Sequence, residues 1–390
     1  MRVAVVVEWV DAWRGGAETS TMQFVHELID QDVYVDLYTR SRLSSTPQMG
    51  VITVPVRSPI KSRQWRVFAG RAADIIRQHD YDVVHAISPC DIVDIYQPRG
   101  GAVAESVQRN IALRAQRTRS LKHFANRFNV KQRARIRYER DLARREPKPW
   151  VACVSRYVAR QFEEHYRHPA DKLRVIFNGV KQDDSMPEER AEQRRSIRQQ
   201  YRVDDDHVLV ILVAHNFKLK GVGNWIQTAG KLSTTGTGKR LHTLVIGKNH
   251  PGPLQRRVQS LGLNERFQFV GATQRVFAFL HAADILVHPT YFDPCSRVTL
   301  EGMTSGLPCI TTRFDGSSEL MTHGQSGFVI PDPNHIDQLA DIVTKLAGDA
   351  SLRTEIGRAA KTAAATATMA RHTKQMIGLY QQIKSEKQSR

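Results

Sequence analysis

Cysteine is scarce in this 390-residue chain: Cys90, Cys153, Cys295 and Cys309 stand far apart, with no Cys-x-x-Cys pair. That argues against a disulfide framework or a cysteine zinc site and fits a reducing compartment. Long apolar runs are also missing. None approaches the roughly 18 residues of a membrane-spanning helix. The opening Met1-Arg2-Val3-Ala4-Val5-Val6-Val7 is too short for a signal-peptide core, and Glu8 follows at once. It reads as a first buried strand. There is no internal repeat, no low-complexity tract and no GxGxxG, so a dinucleotide cofactor has no support. The expected location is the cytoplasm.

What is present is enough for two domains, at about 150 residues each. An apolar content of 41% supports sizeable cores. The net charge of +18 marks an anionic partner: nucleic acid, acidic lipid or a phosphorylated glycan. The charge is concentrated. Between Glu105 and Trp150 lie fourteen Lys and Arg against four acids.

Short β-branched runs alternate with helical stretches along the whole chain. Val3–Val7, Val33–Tyr38, Val51–Val56, Asp82–Ile87, Trp150–Val154 and Leu173–Phe177 read as strands of a first half. His207–Ala214, His242–Ile246, Phe267–Val270, Asp284–Val287, Pro308–Thr311 and Gly327–Ile330 read as strands of a second. Continuous apolar strands between helices imply parallel sheets covered on both faces, hence two doubly wound α/β domains. Asn178-Gly179-Val180 and the polar stretch to Gln200 read as a hinge. Ligands of such folds bind beyond the carboxyl ends of the strands, which predicts a cleft between the domains. The tail from Ala359 predicts one or two closing helices.

The segment Tyr291-Phe292-Asp293-Pro294-Cys295-Ser296-Arg297-Val298-Thr299-Leu300-Glu301-Gly302-Met303 follows a predicted strand. Ser296 is placed to cap a helix running from Arg297 to Thr304. A helix start offers unpaired N–H groups and the positive end of a dipole, which suits an anion. Asp293 and Glu301 flank that start and can accept hydroxyl protons from a polyol. Acids also favour helix starts for purely structural reasons.

Other candidates are weaker. Gly15-Gly16, after the first strand, lets backbone approach a phosphate or sugar, and reads equally as a plain βα loop. In His215-Asn216-Phe217-Lys218-Leu219-Lys220-Gly221, a lysine at the head of a βα loop can neutralise a departing diphosphate. The ordinary fate of Lys218 and Lys220 is a solvated surface. Asp94 can hold an acceptor hydroxyl or cap a strand. His85 lies inside an apolar strand and reads as a hydrogen-bonded core histidine. Asp204-Asp205-Asp206 precedes its strand and reads as a solvated turn, so no metal is expected.

In the cationic segment, Leu121-Lys122-His123-Phe124-Ala125-Asn126-Arg127-Phe128 and Arg133-Ala134-Arg135-Ile136-Arg137-Tyr138 interleave apolar and basic residues. Phe, Ile and Tyr dipping into anionic lipid is one reading, nucleic acid another, a solvated helix a third. No RRM, KH or zinc-finger signature accompanies it, which counts against nucleic acid.

Taken together these motifs resemble the family 4 retaining glycosyltransferases of the GT-B fold, within them the lipopolysaccharide-core glucosyltransferase branch. The family's Glu, seven residues, Glu appears as Asp293, seven residues, Glu301, followed by Ser305-Gly306-Leu307-Pro308-Cys309-Ile310-Thr311-Thr312 and Gly324-Gln325-Ser326-Gly327-Phe328-Val329. The resemblance implies that Glu301 binds ribose hydroxyls. Asp293 binds the donor sugar, helped by the N–H groups of Cys295 and Ser296 at the Arg297 helix start. Lys220 grips the diphosphate, and the Gly15-Gly16 loop closes against it. Asp94, before an apolar-tyrosine pair, matches an aspartate near the acceptor, and the basic segment matches a membrane-contacting insertion. Three departures stand out: aspartate for glutamate at 293, His215-Asn216 with Lys218 where an arginine is usual, and Ala86-Ile87-Ser88 where many members have a histidine.

The expectation is therefore a metal-independent, retaining hexosyltransferase without a cofactor, using a nucleotide-sugar donor, UDP favoured. Its acceptor is a glycan or lipid-linked glycan at the inner face of the cytoplasmic membrane. Residues 1–180 bind the acceptor, carry a basic insertion at about 105–148 and are closed by a helix at about 370–390. Residues 181–369 bind the donor. A non-catalytic or epimerase-type GT-B protein, binding anionic lipid or nucleic acid through its basic segment, is the alternative.

Overall fold

The computed structural model describes residues 1–10, 16–113 and 129–389, the side chains of 16–18 excepted. The chain divides into two compact units, residues 1–179 with 367–390, and residues 180–366. The first holds strands β1 (Arg2–Val6), β2 (Tyr34–Thr39), β3 (Met49–Thr53), β4 (Val83–Ala86), β5 (Ile95–Tyr96), β6 (Trp150–Cys153) and β7 (Leu173–Val175). The second holds β8 (Val208–Val213), β9 (Leu241–Ile246), β10 (Phe267–Gly271), β11 (Ile285–His288), β12 (Cys309–Thr312) and β13 (Phe328–Ile330).

Both sheets are parallel, in the orders β3-β2-β1-β4-β5-β6-β7 and β10-β9-β8-β11-β12-β13. Parallel strands need helical crossovers, and helices on both faces bury every side chain, which is why β8 reads Val-Leu-Val-Ile-Leu-Val without alternation. These are two Rossmann-like units. Strand order reverses between β1 and β4 and between β8 and β11. At such a reversal neighbouring crossovers leave to opposite faces and open a crevice at the carboxyl ends.

The expected strands are present with small shifts. β3 ends at Thr53, earlier than the expected Val56, because Pro55 cannot donate to a ladder. β5 was not expected, since two residues carry no periodicity. The polar stretch after Val180 is a helix, Pro187–Gln200, rather than hinge. Pro187 and two glutamates start it. Arg194 and Arg198 then tether it to Asp284, at 2.8 and 3.1 Å.

His85 is fully buried, with Nδ1 2.6 Å from the Tyr380 hydroxyl. Burial pushes its pKa well below the ordinary value, so it is a neutral core histidine. Tyr380 belongs to the helix Met369–Gln388, which packs on the first unit. There His372 donates Nδ1–H to the Phe177 carbonyl at 2.7 Å. A Cβ on Gly179 would stand 2.5 Å from Met369 Cα and 2.7 Å from the Thr368 carbonyl oxygen. The two segments that leave the first unit are thus packed backbone to backbone.

Leu121–Phe128 lies outside the described residues. In the second half of the cationic segment, the helix Val130–Leu142, the structure corrects the lipid-dipping expectation for Tyr138. Its ring is buried, and its hydroxyl accepts from Cys90 N–H at 2.9 Å and donates to Cys90 carbonyl oxygen at 2.8 Å. Lys131, Arg133, Arg137 and Arg140 remain exposed.

Gly179→Ala should destabilise the protein by about 1–3 kcal/mol through overpacking. Gly378→Ala in the closing helix, where an added Cβ meets nothing within 4 Å, should stabilise it by about 0.5–1 kcal/mol. Urea unfolding of the two variants against wild type tests the contrast.

Candidate functional site

The candidate residues of the second unit gather at the β8–β11 reversal. After β8, Asn216 Oδ1 accepts the Leu219 N–H at 3.1 Å, and Asn216 carbonyl oxygen accepts the Lys220 N–H at 2.9 Å. The turn ends on Gly221, at φ 68°. A Cβ there would lie 1.9 Å from the Pro289 carbonyl oxygen, so only glycine lets this loop lie against the loop after β11. The two loops are then stitched together: Leu219 carbonyl oxygen accepts from Tyr291 N–H at 2.9 Å and Thr290 Oγ1 at 3.2 Å.

This stitching carries Lys220 inward, leaving it 7% exposed. Its Nζ donates to Phe292 carbonyl oxygen at 3.2 Å and to Asp293 Oδ2 at 2.5 Å. His288, the last residue of β11 and 2% exposed, places Nε2 3.1 Å from the same Asp293 oxygen. Burial alone would push the Asp293 carboxyl up, but Lys220 and His288 together hold it below the usual carboxylate range. A carboxylate so stabilised is a poor nucleophile. His288 was missed in the sequence because it ends an apolar run; its position at a strand's carboxyl end is the signal that was available.

The helix after this loop runs from Arg297 to Thr304, with Ser296 at the cap, as the residues suggested. Ser296 Oγ accepts the Thr299 N–H at 3.3 Å. The structure adds a residue that the sequence did not single out. Asp315, fully buried, accepts Ser296 N–H at 3.0 Å and Ser317 N–H at 3.0 Å through Oδ1. Its Oδ2 accepts the hydroxyls of Thr299 at 3.0 Å and Thr311 at 2.9 Å. Either side of it, Asp293 N–H donates to Phe314 carbonyl oxygen and Gly316 N–H to Asp293 carbonyl oxygen, at 2.8 and 2.9 Å. The expected help of the Ser296 amide toward a sugar is therefore corrected: that donor is committed to Asp315. The N–H of Val298 has no partner among the described residues.

Glu301 lies one turn along this helix, its Oε1 3.4 Å from Arg297 Nη2. Burial pushes the Glu301 carboxyl up, against the pull of Arg297. Cys295 is buried beside the cap, whereas Lys218 and His215 are exposed. Lys220, Asp293, Asn216, Cys295, Ser296, Arg297 and Glu301 thus occupy two adjoining loops and one helix start.

Residues expected in the first unit fare differently. Gly15 lies outside the described residues, and Gly16 opens the helix Gly16–Asp30. Asp94 requires a correction. Its carboxylate accepts Val84 N–H at 2.7 Å and Lys387 Nζ at 2.7 Å, at the amino-terminal end of β5. A parallel sheet presents ligands at its carboxyl ends, so Asp94 is a strand-end cap and not an acceptor contact. Asp204, Asp206 and His207 bring possible ligand atoms within 4.8 Å of one another, but in the turn before β8, with both acids exposed.

Comparisons with known proteins agree with the two-unit fold. A model described as Glycosyl transferases group 1 matches residues 193–363, and one described as Glycosyltransferase Family 4 matches residues 14–184. The lipopolysaccharide glucosyltransferase WaaG of Escherichia coli K12 is 23% identical over 342 residues, 87% of this chain and 88% of that one. A crystal structure of WaaG, a glycosyltransferase involved in lipopolysaccharide biosynthesis, superposes with a TM-score of 0.81 at 21% identity, covering 97% and 99% of the two chains. Anabaena HepE in complex with UDP-glucose superposes at 0.70 with 16% identity, covering 100% of both.

Asp315→Ala would leave four donors without their acceptor. It should cost about 2–4 kcal/mol in denaturant unfolding, far more than an exposed Asp→Ala such as Asp205→Ala.

Proposed function

Because this chain belongs to the family 4 glycosyltransferases of the GT-B fold, we propose that it moves a hexose, with retention, from a nucleoside-diphosphate sugar to a glycan or lipid-linked acceptor. The enzyme class follows from the family; the donor, stereochemistry and acceptor are the proposal. The observation that carries it is the buried convergence of Lys220 and His288 on Asp293 at the β8–β11 reversal, just before the helix start that carries Glu301 one turn in. UDP is favoured as the nucleotide, supported by the UDP-glucose bound to the HepE fold relative. Lipopolysaccharide core is favoured as the acceptor, supported by the WaaG match over most of both chains.

Glu301 accepts the ribose hydroxyls, and Asp293 accepts from the sugar. An ammonium has three protons. Lys220 spends two of them on Asp293 and Phe292, so one is left to aim at the diphosphate. As the bond to the anomeric carbon breaks, charge grows on the diphosphate and that proton stabilises it. The amide of Val298, unpartnered among the described residues, adds a donor with Arg297, Asn216 and Lys218 at the rim. With its Oδ2 taken by Lys220 and His288, Asp293 is not poised to form a glycosyl-enzyme. The acceptor hydroxyl then attacks on the face the diphosphate leaves, within an ion pair, and passes its proton to the departing diphosphate oxygen. The charge is borne by protein cations, so no metal is required. Residues 1–179 take the acceptor.

No helix among the described residues is long and apolar enough to cross a membrane. The basic segment 105–148, whose exposed cations among the described residues include Lys131, Arg133, Arg137 and Arg140, holds the enzyme against the anionic inner face of the cytoplasmic membrane, each cation contributing about 1 kcal/mol near such a surface.

Titration calorimetry with UDP, GDP and ADP should give binding with UDP strongest; no binding by any of them overturns the proposal. Lys220→Ala should lower turnover of UDP-glucose at least about tenfold while the far-ultraviolet spectrum is unchanged. Unaltered turnover would remove Lys220 from the diphosphate. EDTA should leave the rate unchanged. The pH dependence follows from Glu301. Its carboxyl is raised in the folded protein, and ribose hydroxyls donate to the ionised form. Nucleotide affinity should therefore fall as pH drops through that raised value, and Glu301→Gln should flatten the profile. Replacing the exposed Lys131, Arg133, Arg137 and Arg140 by glutamine should weaken binding to anionic vesicles and leave UDP binding intact.

A further inference from the structure

We propose that His288 is a positioning residue which, with Lys220, makes Asp293 read the donor sugar through one oxygen only. The inference rests on the donor-site reading above and names how that site selects its sugar. A carboxylate has two oxygens and about four lone-pair sites, and an unhindered one can grip two neighbouring hydroxyls at once. In this site the two oxygens are not equivalent. Both donors point at Oδ2, Lys220 Nζ at 2.5 Å and His288 Nε2 at 3.1 Å. Oδ1 makes no hydrogen bond to any described residue, and it is not among the buried atoms that lack a partner. It is the face of the carboxylate open to a ligand.

The surrounding backbone holds this asymmetry in place. The peptide of Asp293 is bridged on both sides to the Phe314–Gly316 segment, at 2.8 and 2.9 Å, so the residue cannot shift along its loop. His288 is buried at a strand end, where its ring has no room to turn away. An aspartate is short, and a short side chain on a pinned backbone has only its χ angles to adjust. Two donors on one oxygen fix those angles. The sugar then meets one acceptor at one place. Selection of a hexose should therefore hinge on a single hydroxyl, with its neighbours contributing little through this residue.

The test is a deoxygenation scan. kcat/KM is measured with UDP-glucose and with its 2-, 3-, 4- and 6-deoxy analogues, for wild type and Asp293→Asn. The asparagine must turn its oxygen toward Lys220 and His288, which puts NH2 where Oδ1 was. In wild type, deoxygenation at the position Oδ1 reads should lower kcat/KM at least about tenfold. In Asp293→Asn that penalty should shrink by a similar factor, while the other three stay within about threefold of wild type. Penalties that shrink at two hydroxyls mean bidentate reading and overturn the inference, leaving the transferase reading intact. No turnover and no binding of UDP-glucose by wild type removes both.

His288 is then tested by rescue. His288→Leu should lower kcat/KM for UDP-glucose at least about tenfold and weaken the single-hydroxyl dependence, with UDP affinity unchanged. His288→Gln, whose amide N–H can reach the same oxygen, should restore most of both. A loss of UDP affinity and unfolding midpoint in step, without rescue by glutamine, makes His288 merely structural and overturns its assigned role.

Discussion

The second unit is organised around one buried ion cluster, in which an ammonium and an imidazole share a single oxygen of Asp293. Removing one partner from such a cluster costs about 3–5 kcal/mol, because a buried charge is left uncompensated. Much of the local structure meets that demand. Gly221 permits the close approach of the β8 and β11 loops, Asn216 turns the first of them, and Leu219 ties it to the second. Only in that arrangement do Lys220, Asp293 and the strand-end His288 meet.

Asp315 plays the matching part at the helix start. A helix N-terminus offers several unpaired N–H groups, and a ligand anion competes for them with the protein's own acceptors. Here Asp315 takes the Ser296 amide and Ser296 Oγ takes that of Thr299. Fewer donors are left to a diphosphate than an open helix start would offer. The weight of charge neutralisation then falls on Lys220 and its one remaining proton. Ligand binding and local stability thus draw on the same groups.

Much of this was legible along the chain. The parallel sheets followed from apolar runs without alternation, since two-faced burial leaves no polar face to encode. The helix start at Ser296 followed from its cap residue, and the acids at 293 and 301 from their spacing. What stayed hidden was pairing. His288 looked like part of an apolar strand, Asp315 like a loop acid, and Asp94 like an acceptor contact until its carboxylate proved to be held by Val84 and Lys387. Tyr138 sits among cations in the sequence yet faces Cys90 in the fold. Composition reports that a residue is polar or basic; it does not report which way a helix is turned.

By itself the sequence determined the two-unit α/β plan, the helix start and the family, because periodicity and local capping are properties of neighbouring residues. The tertiary structure decided which oxygen of Asp293 is spent, which amide Asp315 removes, and at which end of its sheet Asp94 lies. Those are contacts between segments dozens of residues apart, and the low dielectric of a packed interior gives them their strength only once the chain has folded.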